Sequence, residues 1–110
     1  MLNVNTSMRE QIALIEVSGR IDSMNANQLG ETLNREIDSG HRHMVLDLAG
    51  VDYMSSAGLR EIVSALKKVR GSGDLRLAQP SSRVREVLEM AGLDTIFQIY
   101  ATQSEAVGSY

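Results

Sequence analysis

Met44-Val45-Leu46-Asp47-Leu48-Ala49-Gly50-Val51-Asp52-Tyr53-Met54-Ser55-Ser56-Ala57-Gly58-Leu59-Arg60-Glu61-Ile62-Val63-Ser64-Ala65-Leu66-Lys67-Lys68-Val69 is the stretch that decides the fold. Residues 44–48 are a compact apolar run of the kind that forms a central strand. Residues 51–56 read as a short connection. Beyond it Leu59, Ile62, Val63, Leu66 and Val69 recur at the spacing of one helix face. Lys67, Lys68 and Arg70 fall in the last turns of that helix, where the aligned peptide dipoles favour cations.

Reading toward the C-terminus, Gly71-Ser72-Gly73 stops this helix and residues 75–78 form the next strand. Pro80 with Ser81 or Ser82 starts a third helix, whose Val84, Val87, Leu88 and Ala91 face inward and which Gly92 ends. Residues 96–100 read as a short edge strand. Thr102 and Glu105 match a capping box and begin a short last helix. Toward the N-terminus, Ala26, Leu29, Leu33 and Ile37 repeat with helical period between an Asn25/Gln28 capping box and a Ser39-Gly40 stop. Residues 12–17 read as a central strand ended by Gly19-Arg20-Ile21-Asp22. Residues 7–11 are turn-like, and residues 2–6 alternate as a half-buried partner strand.

The order is β-β-α-β-α-β-α-(β)-α. Strands alternating with helices require crossovers and partly parallel pairing. Right-handed crossovers place helices mainly on one face. The fold class is therefore α/β, a four- to five-stranded mixed sheet, and one domain is expected to cover residues 1–110.

Composition narrows the function. Among 110 residues, 11 are Lys or Arg and 14 are Asp or Glu, for a formal charge of −3, so no basic stripe suits a phosphate backbone. Cys is absent, which excludes disulfide scaffolds and thiolate metal sites. No apolar run reaches the roughly 18–20 residues of a membrane span, and no basic segment followed by a hydrophobic stretch stands at the start, so no secretory signal is expected. A cytoplasmic chain that binds neither nucleic acid nor membrane is expected.

Enzyme signatures are weak. Asp47 with Asp52, or Glu86 with Glu89, have no spacing that forces them into one cleft. His41 and His43 lack a third ligand at metal spacing. Gly71-Ser72-Gly73-Asp74 lacks the Lys-Ser/Thr of a P-loop and precedes a strand. The Ser55-Ser56 run lacks the first Gly of a nucleophile elbow. The six Met suit core filling, but Met24 and Met54 are expected in loops beside small polar residues, where an exposed Met serves a partner surface.

Ser55-Ser56-Ala57-Gly58 is the informative site. It leaves a strand and enters a helix N-terminus, whose free N–H groups favour a phosphate. On residue types alone, an ordinary N-cap at Ser55 or Ser56 is the simpler reading. Gly58 costs a helix about 1 kcal/mol relative to Ala. With so little side chain at Ala57 and Gly58, a partner can approach closely.

Residues 45–60 resemble the signature of the STAS domain (sulfate transporter and anti-sigma factor antagonist). Val17-Ser18-Gly19-Arg20-Ile21-Asp22 is similar to the Gly-x-hydrophobic-Asp element after that family's second strand, and the element order matches as well. The resemblance spans nearly the whole chain. It implies a bacterial anti-sigma factor antagonist, a binding protein and phosphorylation substrate rather than an enzyme, with no cofactor and no metal. Ser56 falls on the family's phosphoacceptor, and Ser55 stands where some members carry Asp. The implied partners are an anti-sigma factor that doubles as a serine kinase of the histidine-kinase-like ATPase type, and a PP2C-type phosphatase. The expected contact residues are Asp22, Met24, Met54, Ser55, Ala57, Gly58 and Arg60. Two other readings compete: a non-phosphorylated STAS subunit of a transport assembly, tested by recovery of transporter ATPase subunits, and a small serine hydrolase, tested by ester turnover.

Overall fold

In the computed structural model, which describes residues 2–110, five strands lie side by side in chain order. β1 (Asn3–Arg9) and β2 (Ile12–Ile21) form an antiparallel hairpin turned by Glu10 and Gln11, with Glu10 at φ 60°. β3 (His43–Met54), β4 (Asp74–Ala78) and β5 (Ile99–Tyr100) then pair in parallel. The crossovers are α1 (Ala26–Asp38), α2 (Ser56–Val69) and α3 (Ser82–Met90). A 3-10 turn at Leu93–Thr95 and α4 (Gln103–Gly108) complete the order.

Period-two alternation builds a core on each face of the sheet. On the larger side Ala13, Ile15, Val17, Met44, Leu46, Leu75 and Leu77 meet Leu29, Leu33, Ile62, Leu66, Val84 and Leu88 from α1, α2 and α3. The alternate residues Ile12, Leu14, Val45 and Ala78 meet Ala106 of α4, with Val107 and Tyr110 beside it. Helices thus lie mainly on one face, and α4 alone covers part of the other.

β1, β2 and β3 are longer than the sequence reading, whereas β5 is shorter, Ile99–Tyr100 in place of residues 96–100. β2 reaches Ile21 and β3 reaches Met54, and their pairing slips between Glu16 and Ser18 and again between Gly19 and Arg20. Such irregularities break alternation, so pattern reading stops short. Val51 and Met54 are both buried while Asp52 is exposed, a spacing of three that period two does not show. β1 likewise runs to Arg9, and its mostly exposed polar side chains suit an edge strand.

Two further details differ from expectation. Asn25 precedes α1 but its side chain does not cap it. Its Oδ1 accepts from the Asp22 N–H at 2.9 Å and its Nδ2 donates to the Arg20 carbonyl at 2.8 Å, which closes the turn before the helix. Of the methionines, Met44 and Met54 are core residues, whereas Met8, Met24 and Met90 are exposed; Met1 lies outside the described residues.

Polar anchors hold α4 to the sheet. The buried Asp47 carboxylate accepts from Gln103 Nε2 at 2.6 Å and from Gln79 Nε2 at 3.1 Å. The Tyr110 hydroxyl accepts from the Met44 N–H at 3.1 Å and donates to the carbonyl of Met44 or of Asp74, at 2.6 and 2.7 Å. The Arg76 guanidinium lies 4.1 Å from the Tyr110 ring centroid. Burial pushes ionisation of this hydroxyl well above the usual tyrosine range.

Candidate functional site

One residue separates β3 from α2. Ser55 takes an extended conformation, φ −84° and ψ 170°, and its Oγ accepts from the Gly58 N–H at 3.4 Å. Its own N–H donates to the Ile21 carbonyl at 2.9 Å. Ser55 is therefore the N-cap, fastened at once to its helix and to the end of β2. That leaves Ser56 as the first helical residue, with its side chain exposed.

The inner side of the junction is packed. Met54 is only 2% exposed, and Gly58 is buried. A Cβ on Gly58 would stand 2.6 Å from Ile21 Cγ2 and 3.1 Å from Met54 Cγ. The expectation that Met54 and Gly58 contact a partner is corrected on this ground. Both face inward, and Gly58 is small because β2 and β3 approach the helix there. Ala57 and Ser55 are half-buried and only partly accessible.

The turn after β2 stands beside the junction through the Ile21–Ser55 bond. Asp22 Oδ1 accepts from the Met24 N–H at 2.9 Å and the Asn25 N–H at 3.2 Å, and Oδ2 lies 3.7 Å from Arg20 Nε. The Asp22 carboxylate is thus engaged in shaping its own turn, with its side chain 34% exposed. At the apex Met24 is 87% exposed. Arg20 stacks on Tyr53, with 4.0 Å from guanidinium carbon to ring centroid. Asp22, Met24, Ser56 and Arg60 are brought to one end of the sheet, where β2 and β3 finish.

An open groove of about 830 Å³ runs from Ser56 along the outer face of α2, past Leu59, Arg60 and Val63 to Lys67. Ala91 and Leu93 form its opposite wall. Leu59, on the apolar stripe of α2, is half-buried: it packs against the core and also lines this groove. Its position at the margin of the helical stripe was the available signal; Leu93, beyond α3, had none.

Neither Ser55 nor Ser56 is bonded to a histidine. His41 Nδ1 is 2.9 Å from Glu36 Oε1, and His43 stands edge-on to the Tyr110 ring at the opposite end of β3. Among the described residues no cluster of three His, Asp or Glu is placed to hold a metal, and no helix is long and apolar enough to cross a membrane. Ser56 is thus an exposed hydroxyl at the start of a helix.

Comparison with known proteins bears on the family and the fold. The STAS domain family model matches residues 3–106. BtrV of Bordetella bronchiseptica, assigned as an anti-sigma factor antagonist, is 38% identical over 95 residues, covering 86% of this chain and 82% of that protein. A Thermotoga maritima structure, also assigned as an anti-sigma factor antagonist, superposes with a TM-score of 0.91 at 27% identity, covering 96% of this chain and 92% of the other. The phosphorylated form of the Bacillus cell fate determinant SpoIIAA shares the fold, with a TM-score of 0.76 at 20% identity over 97% of this chain and 98% of its own.

Proposed function

The chain belongs to the STAS domain family, and on that premise we propose that it is an anti-sigma factor antagonist switched by reversible phosphorylation of Ser56. One observation carries the reading: of two adjacent serines, Ser55 is consumed as helix cap and Ser56 is left outward at the helix start. Relatives assigned as anti-sigma factor antagonists support it, and this chain covers 82% of BtrV, a chain of comparable length.

The unmodified surface is small and neutral at Ser56, with Met24 and Arg60 exposed beside it. It docks on an anti-sigma factor and frees the sigma factor. The anti-sigma factor is also a serine kinase of the histidine-kinase-like ATPase type. Ser56 Oγ attacks the γ-phosphorus of ATP, the bond to ADP breaks, and the hydroxyl proton passes to a base on the kinase. A PP2C-type phosphatase reverses the modification by hydrolysis. The chain is the substrate and ligand of these enzymes and acts in the compartment that holds them, the cytoplasm.

The energetics suffice without a change of fold. A phosphoserine carries about −1.5 to −2 charges at pH 7. A unit charge pair at about 4 Å near a protein surface interacts by ~4 kcal/mol, of which ~2–3 kcal/mol survives screening and rearrangement if a partner carboxylate stands opposite. Each ~1.4 kcal/mol is tenfold in affinity. Phosphorylation therefore weakens the complex by roughly two orders of magnitude, while the helix N-terminus accommodates the phosphate. Titration calorimetry against the purified anti-sigma factor tests this. Ser56→Ala is expected to keep binding and Ser56→Asp to weaken it; loss in both, with folding intact, would instead make the hydroxyl an interface donor.

A further inference from the structure

We propose that Arg60 is the intramolecular counter-ion of the Ser56 phosphate, a role that rests on the phosphorylation reading above. Ser56 and Arg60 are four residues apart on α2, so their side chains share one helix face with Cβ atoms about 5–6 Å apart. Helical Cα–Cβ bonds tilt toward the N-terminus, which directs the Arg60 stem back toward Ser56. Both residues are exposed and line the same open groove.

Arg60 is also available. Among the described residues it makes no ion pair, whereas Arg20 is engaged by Asp22 and Tyr53, and Arg76 by Asp74. The nearby carboxylates are otherwise placed. Asp22, in the turn packed beside the junction, accepts two backbone N–H groups, and the Glu61 carboxylate lies where a Cβ on Gly30 of α1 would stand. Asp52, near the end of β3, is exposed. Lys67 is eleven residues along the helix from Ser56, about 16 Å by helical rise, too far to reach the phosphate.

The guanidinium therefore has two states. In the unmodified chain it is an outward cation at the edge of the docking surface. After phosphorylation it folds back onto the phosphate as a charge-assisted pair. The partner then meets a new anion and loses an attractive cation in the same event, so one modification changes two contacts.

The test is independent of any kinase. Phosphoserine is installed at position 56 by genetic code expansion, in the parent, Arg60→Lys and Arg60→Ala chains, and the phosphate is titrated by phosphorus NMR. The second ionisation, ordinarily near pH 6, is expected roughly half a pH unit higher in Arg60→Ala than in the parent, with Arg60→Lys restoring most of the difference and high salt shrinking it. Asp22, Asp52 and Glu61 are common to all three chains and cancel in the comparison. Superimposable titrations for the three chains would overturn the role of Arg60. They would leave the phosphorylation reading standing, since that reading fails separately if a kinase leaves Ser56 unmodified. Circular dichroism of each unmodified chain establishes that the variants fold.

Discussion

Gly58 shows how a single position can carry two opposed preferences. In an open helix, Ala in place of Gly would stabilise by about 1 kcal/mol. Here the added methyl group would stand 2.6 Å from Ile21 Cγ2, a side chain that is fully buried and β-branched. Overpacking costs about 1–3 kcal/mol, so Gly58→Ala is expected to destabilise, read as a lower midpoint in urea at unchanged slope. Gly108→Ala is the control, because nothing lies within 4 Å of its added Cβ, and it is expected to be neutral or slightly stabilising. The sequence makes Gly58 visible as small but not the side from which it must be small. That side depends on where β2 ends. The same holds for Met54. Its neighbours Ser55 and Ser56 suggest a loop, yet the strand continues beneath it and turns its side chain inward. The helix start at Ser55 and Ser56 was legible because it is marked locally, by two small polar residues ahead of an apolar stripe of period 3.6; which of the two caps the helix was not.

At the scale of elements, α1, α2 and α3 were legible from their stripes, and the sheet from its apolar runs. The irregular ends of β2 and β3 were not, since register slips erase the alternation that reveals a strand. The position of α4 on the opposite face was equally hidden, because its anchors are non-local. Asp47 reaches Gln103 across 56 residues and Tyr110 reaches Met44 across 66. Tyr110→Phe removes a hydroxyl bound to both strands and is expected to cost about 1–2 kcal/mol at neutral pH. The same hydroxyl gives a signature at high pH. Its ionisation is raised by burial in the folded chain, so between the unfolded pKa near 10 and the folded value the unfolded chain has lost a proton that the folded chain keeps. The stability this represents is complete below about pH 10 and falls as pH rises, by at most ~1.4 kcal/mol per pH unit. Denaturation midpoints measured from pH 8 to 11 are expected to fall more steeply for the parent than for Tyr110→Phe. Parallel curves would show that the hydroxyl is free to ionise in place.

At the scale of the whole molecule, the two ends of the sheet serve different purposes. One end carries the Tyr110, His43 and Arg76 cluster, which fastens the chain to itself. The other carries the turn of Asp22 and Met24, the junction at Ser55 and Ser56, and the head of the α2 groove, which face outward. A switch at this outward end leaves both cores untouched, so the phosphorylated chain is expected to unfold with unchanged cooperativity while its partner affinity changes. The switch turns on Ser56 as the proposed acceptor. Its direct measurement is tandem mass spectrometry of the chain after incubation with MgATP and the serine kinase that binds it. One phosphoryl group is expected, on Ser56, absent in Ser56→Ala and removed by the phosphatase. Phosphate on Ser55 or elsewhere with Ser56 bare, or no phosphate on a chain that still binds the kinase, would rule Ser56 out as the acceptor.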